Sequence, residues 1–253
     1  MKLAASPTRG FRRLLAVAVT TATAAVVTVI AAPAAEAACC TPGVDVSHWQ
    51  GSINWTSVRN AGIQWAYIKA TEGTSYKDPQ FNTNYPAAYY AGVIRGAYHF
   101  ARPNVSSGAT QADYFANNGG AWSADNRTLP GALDIEYNPY GSMCYGLSQS
   151  SMRSWLASFL SRYKYRTGRY AVIYTTYNWW STCTGNYSGF AGNHPLWIAR
   201  WSTSAGTLPA GWSFWTMWQY TSTGSVSGIS GNVDRNHFNG DRSRLLALAN
   251  NTP

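Results

Sequence analysis

The stretch WAYIKATEGTSYKDPQFNTNYPAAYYAGVIRGAYHF, residues 65–100, reads as strand, helix, strand. Trp65 to Ala70 is an apolar run ending in Thr71-Glu72-Gly73. A helix-like segment around Phe81 to Ala91 leads into a second run, Val93 to Phe100. Two strands joined through a helix pair in parallel, because the crossover returns the chain to the same edge before the second strand begins. The pattern extends both ways. Upstream lie the short run Gly43 to Val46 and helix-like Trp55 to Ala61; downstream lie helix-like Ala109 to Ala116 and the run Leu133 to Glu136. The clearest helix follows: Met152, Trp155, Leu156, Phe159, Leu160 and Tyr163 recur with helical spacing, between a Ser148 cap and a Gly168 stop. Four further runs, Tyr170 to Tyr174, Leu196 to Trp201, Phe214 to Tyr220 and Val233 to Phe238, are separated by Gly/Ser/Thr-rich stretches with little helical period. Eight strand candidates, the early ones alternating with helices, predict an α/β fold: a single TIM-like barrel with irregular late crossovers. No internal repeat or separate binding module interrupts it.

The N-terminus reads differently. Lys2, Arg9, Arg12 and Arg13 precede an uncharged stretch, Leu14 to Ile30, and Ala35-Glu36-Ala37 supplies a small-x-small cleavage pattern. Residues 1–37 are expected to be a secretory signal peptide and residues 38–253 one mature domain. The expected location is secreted, extracellular, with no membrane partner once the signal is cut. The whole chain carries a formal charge of +9, which falls to +6 without Lys2, Arg9, Arg12, Arg13 and Glu36. A basic exported protein suits anionic surfaces such as cell-wall polymers, and the same charge equally serves solubility.

Export permits disulfides among Cys39, Cys40, Cys144 and Cys183. Sequence leaves three connectivities open. Cys144 with Cys183 is the preferred pair, because vicinal cysteines are hard to bridge without strain. His48, His99, His194 and His237 lie far apart without metal-binding spacing, so neither metal nor cofactor is expected. No phosphate-binding glycine loop is present, and Arg162, Lys164, Arg166 and Arg169 suit a helix C-terminus, so nucleic acid is not an expected partner.

The chain has only ten Asp and Glu, yet Leu133-Asp134-Ile135-Glu136 places two of them two apart in a strand-like run. Alternation points both to one face, where like charges repel. Asp45, Glu72 and Asp234 also fall at or near predicted strand ends, and parallel barrels carry their chemistry at the C-terminal ends of the strands. Plainer roles compete: Asp45 as a turn residue, Asp234 paired with Arg235, Glu72 paired with Lys69. Among many aromatics, Tyr98, Tyr174 and Trp218 lie near strand ends and are candidate walls of a sugar groove.

Six segments together resemble the glycoside hydrolase family 25 lysozymes, which are N-acetylmuramidases. They are Gly43-Val44-Asp45-Val46-Ser47-His48-Trp49-Gln50, Tyr67 to Gly73, Gly96-Ala97-Tyr98-His99-Phe100, Leu133 to Glu136, Trp218-Gln219-Tyr220, and Gly231 to Asn236. They occur in the family's order over almost the whole of residues 38–253. The resemblance implies a barrel of five βα units followed by three β-strands. It implies cleavage of the β-1,4 bond between N-acetylmuramic acid and N-acetylglucosamine in peptidoglycan; a monomer is expected. It also implies Glu136 as general acid, Asp134, Asp45 and Asp234 as its acidic partners, and Glu72 as a secondary, substrate-binding residue.

The residues suit that chemistry. A proton donor to the leaving oxygen needs a carboxyl that stays protonated near neutrality, and burial beside like charge provides it. Asp134 is then a stabiliser or the residue that orients the substrate's 2-acetamido group. The second step can proceed by substrate assistance, by a covalent nucleophile or by inversion; an Asp-x-Glu pair facing an N-acetylated sugar favours the first. A chitinase-like hydrolase is one alternative, although Leu129 and Ala132 stand where that pattern places further acids. A non-catalytic wall-binding barrel is the other, although no acid is missing.

Overall fold

The computed structural model describes residues 40–252. The expected signal peptide, its cleavage site and Cys39 lie outside the described residues. Among the described residues nine strands form one sheet: β1 (Cys40–Val46), β2 (Trp65–Glu72), β3 (Tyr76–Lys77), β4 (Ile94–Phe100), β5 (Ala132–Asp134), β6 (Val172–Thr175), β7 (Leu196–Ala199), β8 (Met217–Gly224) and β9 (Val233–Asn239). Pairing runs β1-β9-β8-β7-β6-β5-β4-β2, and β1 also pairs with β2, so eight strands close into a barrel. β3 is a two-residue hairpin partner on the end of β2.

Helices α1 (Trp55–Asn60), α2 (Phe81–Tyr90), α3 (Gly108–Phe115), α4 (Gln149–Thr167) and α5 (Tyr177–Thr184) each follow a barrel strand. The last three barrel strands have no such helix between them, and α6 (Arg242–Asn250) follows β9. This is the five-plus-three order the resemblance implied. α5 occupies a stretch expected to have little helical character. Thr176 caps its first turn, accepting from the Trp179 amide, and Trp179, Trp180 and Cys183 are buried. Cys183 bonds Cys144 across a Cα separation of 5.3 Å, tying α5 to the loop after β5; Cys40 is disulfide-bonded as well.

α4 matches its pattern residue for residue. All six spaced apolar side chains are buried, Ser148 accepts from the Ser151 amide, and Gly168 ends the helix at φ 73°. The strands present alternate residues to two cores. Leu133, Ile135, Ile68, Ala97 and Ile173 face the helices. Trp65, Tyr67, Ala132, Val172, Tyr174, Trp197 and Met217 fill the barrel. Tyr67 stacks on Trp197 at 4.9 Å between ring centroids. These rings need glycine opposite them: a Cβ on Gly43 would meet the Trp65 ring at 2.1 Å, and one on Gly96 the Tyr67 ring at 2.2 Å. The aromatic plug is the floor of the site above it.

β9 differs in direction from the barrel strands before it. It runs antiparallel to both β1 and β8. Asp234 therefore lies at the start of its strand, and still reaches the C-terminal end of the parallel strands, directly opposite Asp45.

Candidate active site

A cavity of about 300 Å³ opens at that end of the barrel. Asp45 from β1, Asp134 at the end of β5, Glu136 two residues beyond it and Asp234 from β9 all line it, with Tyr98, Tyr174, Trp197, Gln219 and Lys69. Sequence alternation brings Asp134 and Glu136 to the same cavity. Two aromatics predicted as walls, Tyr98 and Tyr174, are there too.

Trp218 is not. Its neighbour Gln219 takes the inward position, so alternation turns Trp218 to the outer side, where its indole donates to the Arg200 carbonyl at 2.8 Å. Glu72 does not line the cavity either. It receives Lys69 Nζ at 2.8 Å, Arg102 Nη1 at 3.2 Å and the Tyr140 hydroxyl at 2.8 Å. Asp234 makes no ion pair with Arg235 among the described residues.

Asp45 is held by two amides whose orientation is fixed from behind. The Tyr174 hydroxyl and the Trp201 indole, each at 3.0 Å, both donate to Gln219 Oε1. That turns Gln219 Nε2 toward Asp45, at 3.0 and 3.2 Å from its two oxygens. The Trp197 indole donates to Asn236 Oδ1 at 2.8 Å, and Asn236 Nδ2 donates to Asp45 Oδ1 at 2.6 Å. An indole N–H can only donate, so neither amide can flip without losing a bond. Asp45 is therefore wired as an acceptor.

The acids sit over the aromatic plug with Lys69 as the only cation lining the cavity among the described residues. Burial, opposed by the Asn236 and Gln219 hydrogen bonds, raises Asp45 to about 6. Burial, with the charge of Asp45 added, raises Glu136 to about 7, against the pull of Lys69. Asp234 rises to about 8 from burial and the charges of Asp45 and Glu136. Asp134 is lifted well above the carboxylate range, first by burial and then by Glu136; its Oδ1 is buried with no hydrogen-bond partner. The site can hold a carboxylic proton near neutral pH and keep a carboxylate beside it, the pairing that glycosidic cleavage requires. Among the described residues no group of His, Cys, Asp and Glu is placed to hold a metal ion.

Residue-level reading missed the cavity's rim and supports. Trp49 and Trp201 line the cavity while 82% and 65% exposed, as stacking platforms for a sugar would be. Trp49 and Gln219 stood inside recognised segments, but only strand parity shows which side chain faces inward.

Comparison with known proteins follows the same lines. The profile of the glycosyl hydrolases family 25 matches residues 44–229. Lysozyme M1 of Streptomyces globisporus is 66% identical over 210 residues, covering 83% of this chain and 71% of that protein. The N,O-diacetylmuramidase of Chalaropsis sp is 46% identical over 200 residues, covering 76% of this chain and 95% of that protein. The crystal structure of the bacterial lysozyme from Streptomyces coelicolor superposes with a TM-score of 0.83 at 65% identity, covering 85% of this chain and 99% of that one.

Proposed function

This chain belongs to glycosyl hydrolase family 25, and from that premise we propose that Glu136 donates the proton in peptidoglycan hydrolysis. The protein is a lysozyme, an N-acetylmuramidase cleaving the β-1,4 bond between N-acetylmuramic acid and N-acetylglucosamine. The observation that carries the assignment is Glu136 raised to about 7 in the cavity it shares with Asp134, Asp45 and Asp234. A glutamic acid at its ordinary value is ionised at pH 7 and has no proton to give; this one retains a large protonated fraction. Glu136→Gln keeps the shape and removes the proton. It is expected to abolish lysis while leaving fold and wall binding intact, and lytic activity retained in that variant would end the assignment.

Asp134 is the residue we assign to the substrate's 2-acetamido group. Its Oδ1 is buried without a partner among the described residues, an arrangement that an amide N–H can complete. The acetamido oxygen then attacks the anomeric carbon as Glu136 protonates the leaving oxygen, and water opens the resulting ring. Asp45, fed by two fixed amides, and Asp234 opposite it keep the cavity electronegative around the developing oxocarbenium charge. NMR of the first-formed anomer tests the route: substrate assistance predicts retention, and an inverted first product excludes it.

Two relatives are named N,O-diacetylmuramidase, and we extend the proposal to walls whose muramic acid is also O-acetylated. Lysis of such walls should proceed at least as fast before mild-base deacetylation as after it. Export by residues 1–37, and action of residues 38–253 as an extracellular monomer without nucleic-acid or membrane partners, complete the reading. N-terminal sequencing and sizing of the secreted protein check these points.

A further inference from the structure

The end of the barrel opposite the catalytic cavity carries the reverse charge. Arg59 lies in the last turn of α1, and Arg242 opens α6. Arg242 Nη1 donates to Gln64 Oε1 at 3.4 Å, which fixes it beside the start of β2. Arg127 lies beside the start of β4: its carbonyl accepts the Arg95 amide at 2.8 Å, and its Nη1 donates to the Tyr89 carbonyl at 3.0 Å. The backbone joins these places, since the Ile94 amide donates to the Gln64 carbonyl at 3.0 Å.

All three arginines are partly exposed, and none has an ion pair among the described residues. The nearby carboxylates are already engaged. Asp125 takes Ser123, Thr128, the Arg127 amide and Arg95; Asp241 caps α6 through the Arg244 amide and Ser243. Arg59 and Arg127 act on Arg242 as like charges, adding to its burial and lowering its affinity for a proton. Guanidinium forks match phosphate oxygens in a bidentate manner, and each contact releases counterions.

We propose that this face binds the phosphodiester chain of an anionic cell-wall polymer, holding the enzyme on the wall while the opposite mouth works on glycan. The choice of a wall polymer rests on the muramidase reading; the anion chemistry rests on the arginines alone.

The test compares two double variants of equal net charge in the full mature chain. Arg59→Gln/Arg242→Gln removes two of the cluster's three cations, and Lys77→Gln/Arg153→Gln removes two cations elsewhere. Affinity is measured at low salt for purified poly(glycerol phosphate), for intact walls, for walls stripped of phosphodiester polymers by hydrofluoric acid, and for phosphatidylglycerol vesicles. The cluster variant is expected to bind the polymer and intact walls about tenfold more weakly, and the control variant less than about threefold. Both are expected to bind stripped walls like the parent and to release reducing ends from them at the parental rate. Equal losses in the two variants would reduce the effect to net charge and overturn the proposal. So would parental binding to vesicles and not to the polymer, or parental binding to stripped walls as tight as to intact ones. Failure of the parent to release reducing ends from stripped walls would instead overturn the muramidase reading and leave the anion site standing.

Discussion

Glu72 ends β2 and Glu136 lies just past β5, with β4 between the two strands, and protein surrounds both, yet their protons behave in opposite ways. Burial works to raise each carboxyl. At Glu72 the hydrogen bond and charge of Lys69, with Tyr140 and Arg102, outweigh burial and hold the group below its usual value. At Glu136 no ion pair forms among the described residues, Asp45 adds negative charge, and the group rises to about 7 against the more distant pull of Lys69. Burial is left uncompensated at Glu136, whereas at Glu72 the partners within hydrogen-bond reach outweigh it. A partnered acid is held ionised, whereas an acid surrounded by other acids over an aromatic floor can keep a proton near neutral pH.

The sharpest test of this contrast is activity. Asp134→Asn is expected to reduce turnover about 10³-fold, because charge stabilisation in the transition state is a large term. Glu72→Gln should cost less than about tenfold, acting through the position of Lys69. Steady-state hydrolysis of isolated walls measures both, and equal losses would break the distinction.

Stability comes next and runs the other way. Glu136 and Asp234 bind protons more tightly in the folded than in the unfolded chain, so folding stability falls as pH rises from about 4 to 8. Glu72 has the opposite sign: its contribution is present above its unfolded value and is lost as pH falls through its lowered one. At pH 8, Glu136→Gln should therefore stabilise the protein by about 1–3 kcal/mol, and Glu72→Gln should destabilise it by about 1–2 kcal/mol. Denaturant unfolding at pH 5 and pH 8 gives both values.

A smaller effect concerns the alkaline limb of kcat/KM, which the proposed role of Glu136 assigns to loss of its proton. Asp45→Asn removes a charge that raises Glu136 and should move that limb down by up to about one pH unit. Lys69→Met removes one that lowers it and should move the limb up. The same direction in both variants would detach the limb from Glu136. Smallest of all, Gln219→Leu leaves Asp45 with Asn236 alone and should slow turnover about tenfold or less without displacing the limb by more than a few tenths.

Much of this was legible in the chain. α4 announced itself because six buried side chains recur at helical spacing and both of its caps are standard residue types. The acids were legible because so few exist and several fall at strand ends. α5 was not, since eight residues rich in Trp and Thr carry no clear period and are held by the Thr176 cap and by packing. Trp218 was favoured over Gln219 because a large aromatic draws attention, and parity decides otherwise. The direction of β9 has no local signature, because strand propensity is the same whichever way a strand runs.

That direction has a consequence for the chain while it is being made. Asp45 is among the first residues of the barrel to leave the ribosome, and its cross-strand partner Asp234 and its amide donor Asn236 are among the last. Until β9 docks, β1 has an open edge, and the cavity lacks one wall and one of its four acids. A growing or prematurely ended polypeptide that stops short of Val233 is thus an unfinished ring with no competent site. The lytic activity becomes available only when the chain meets its own beginning.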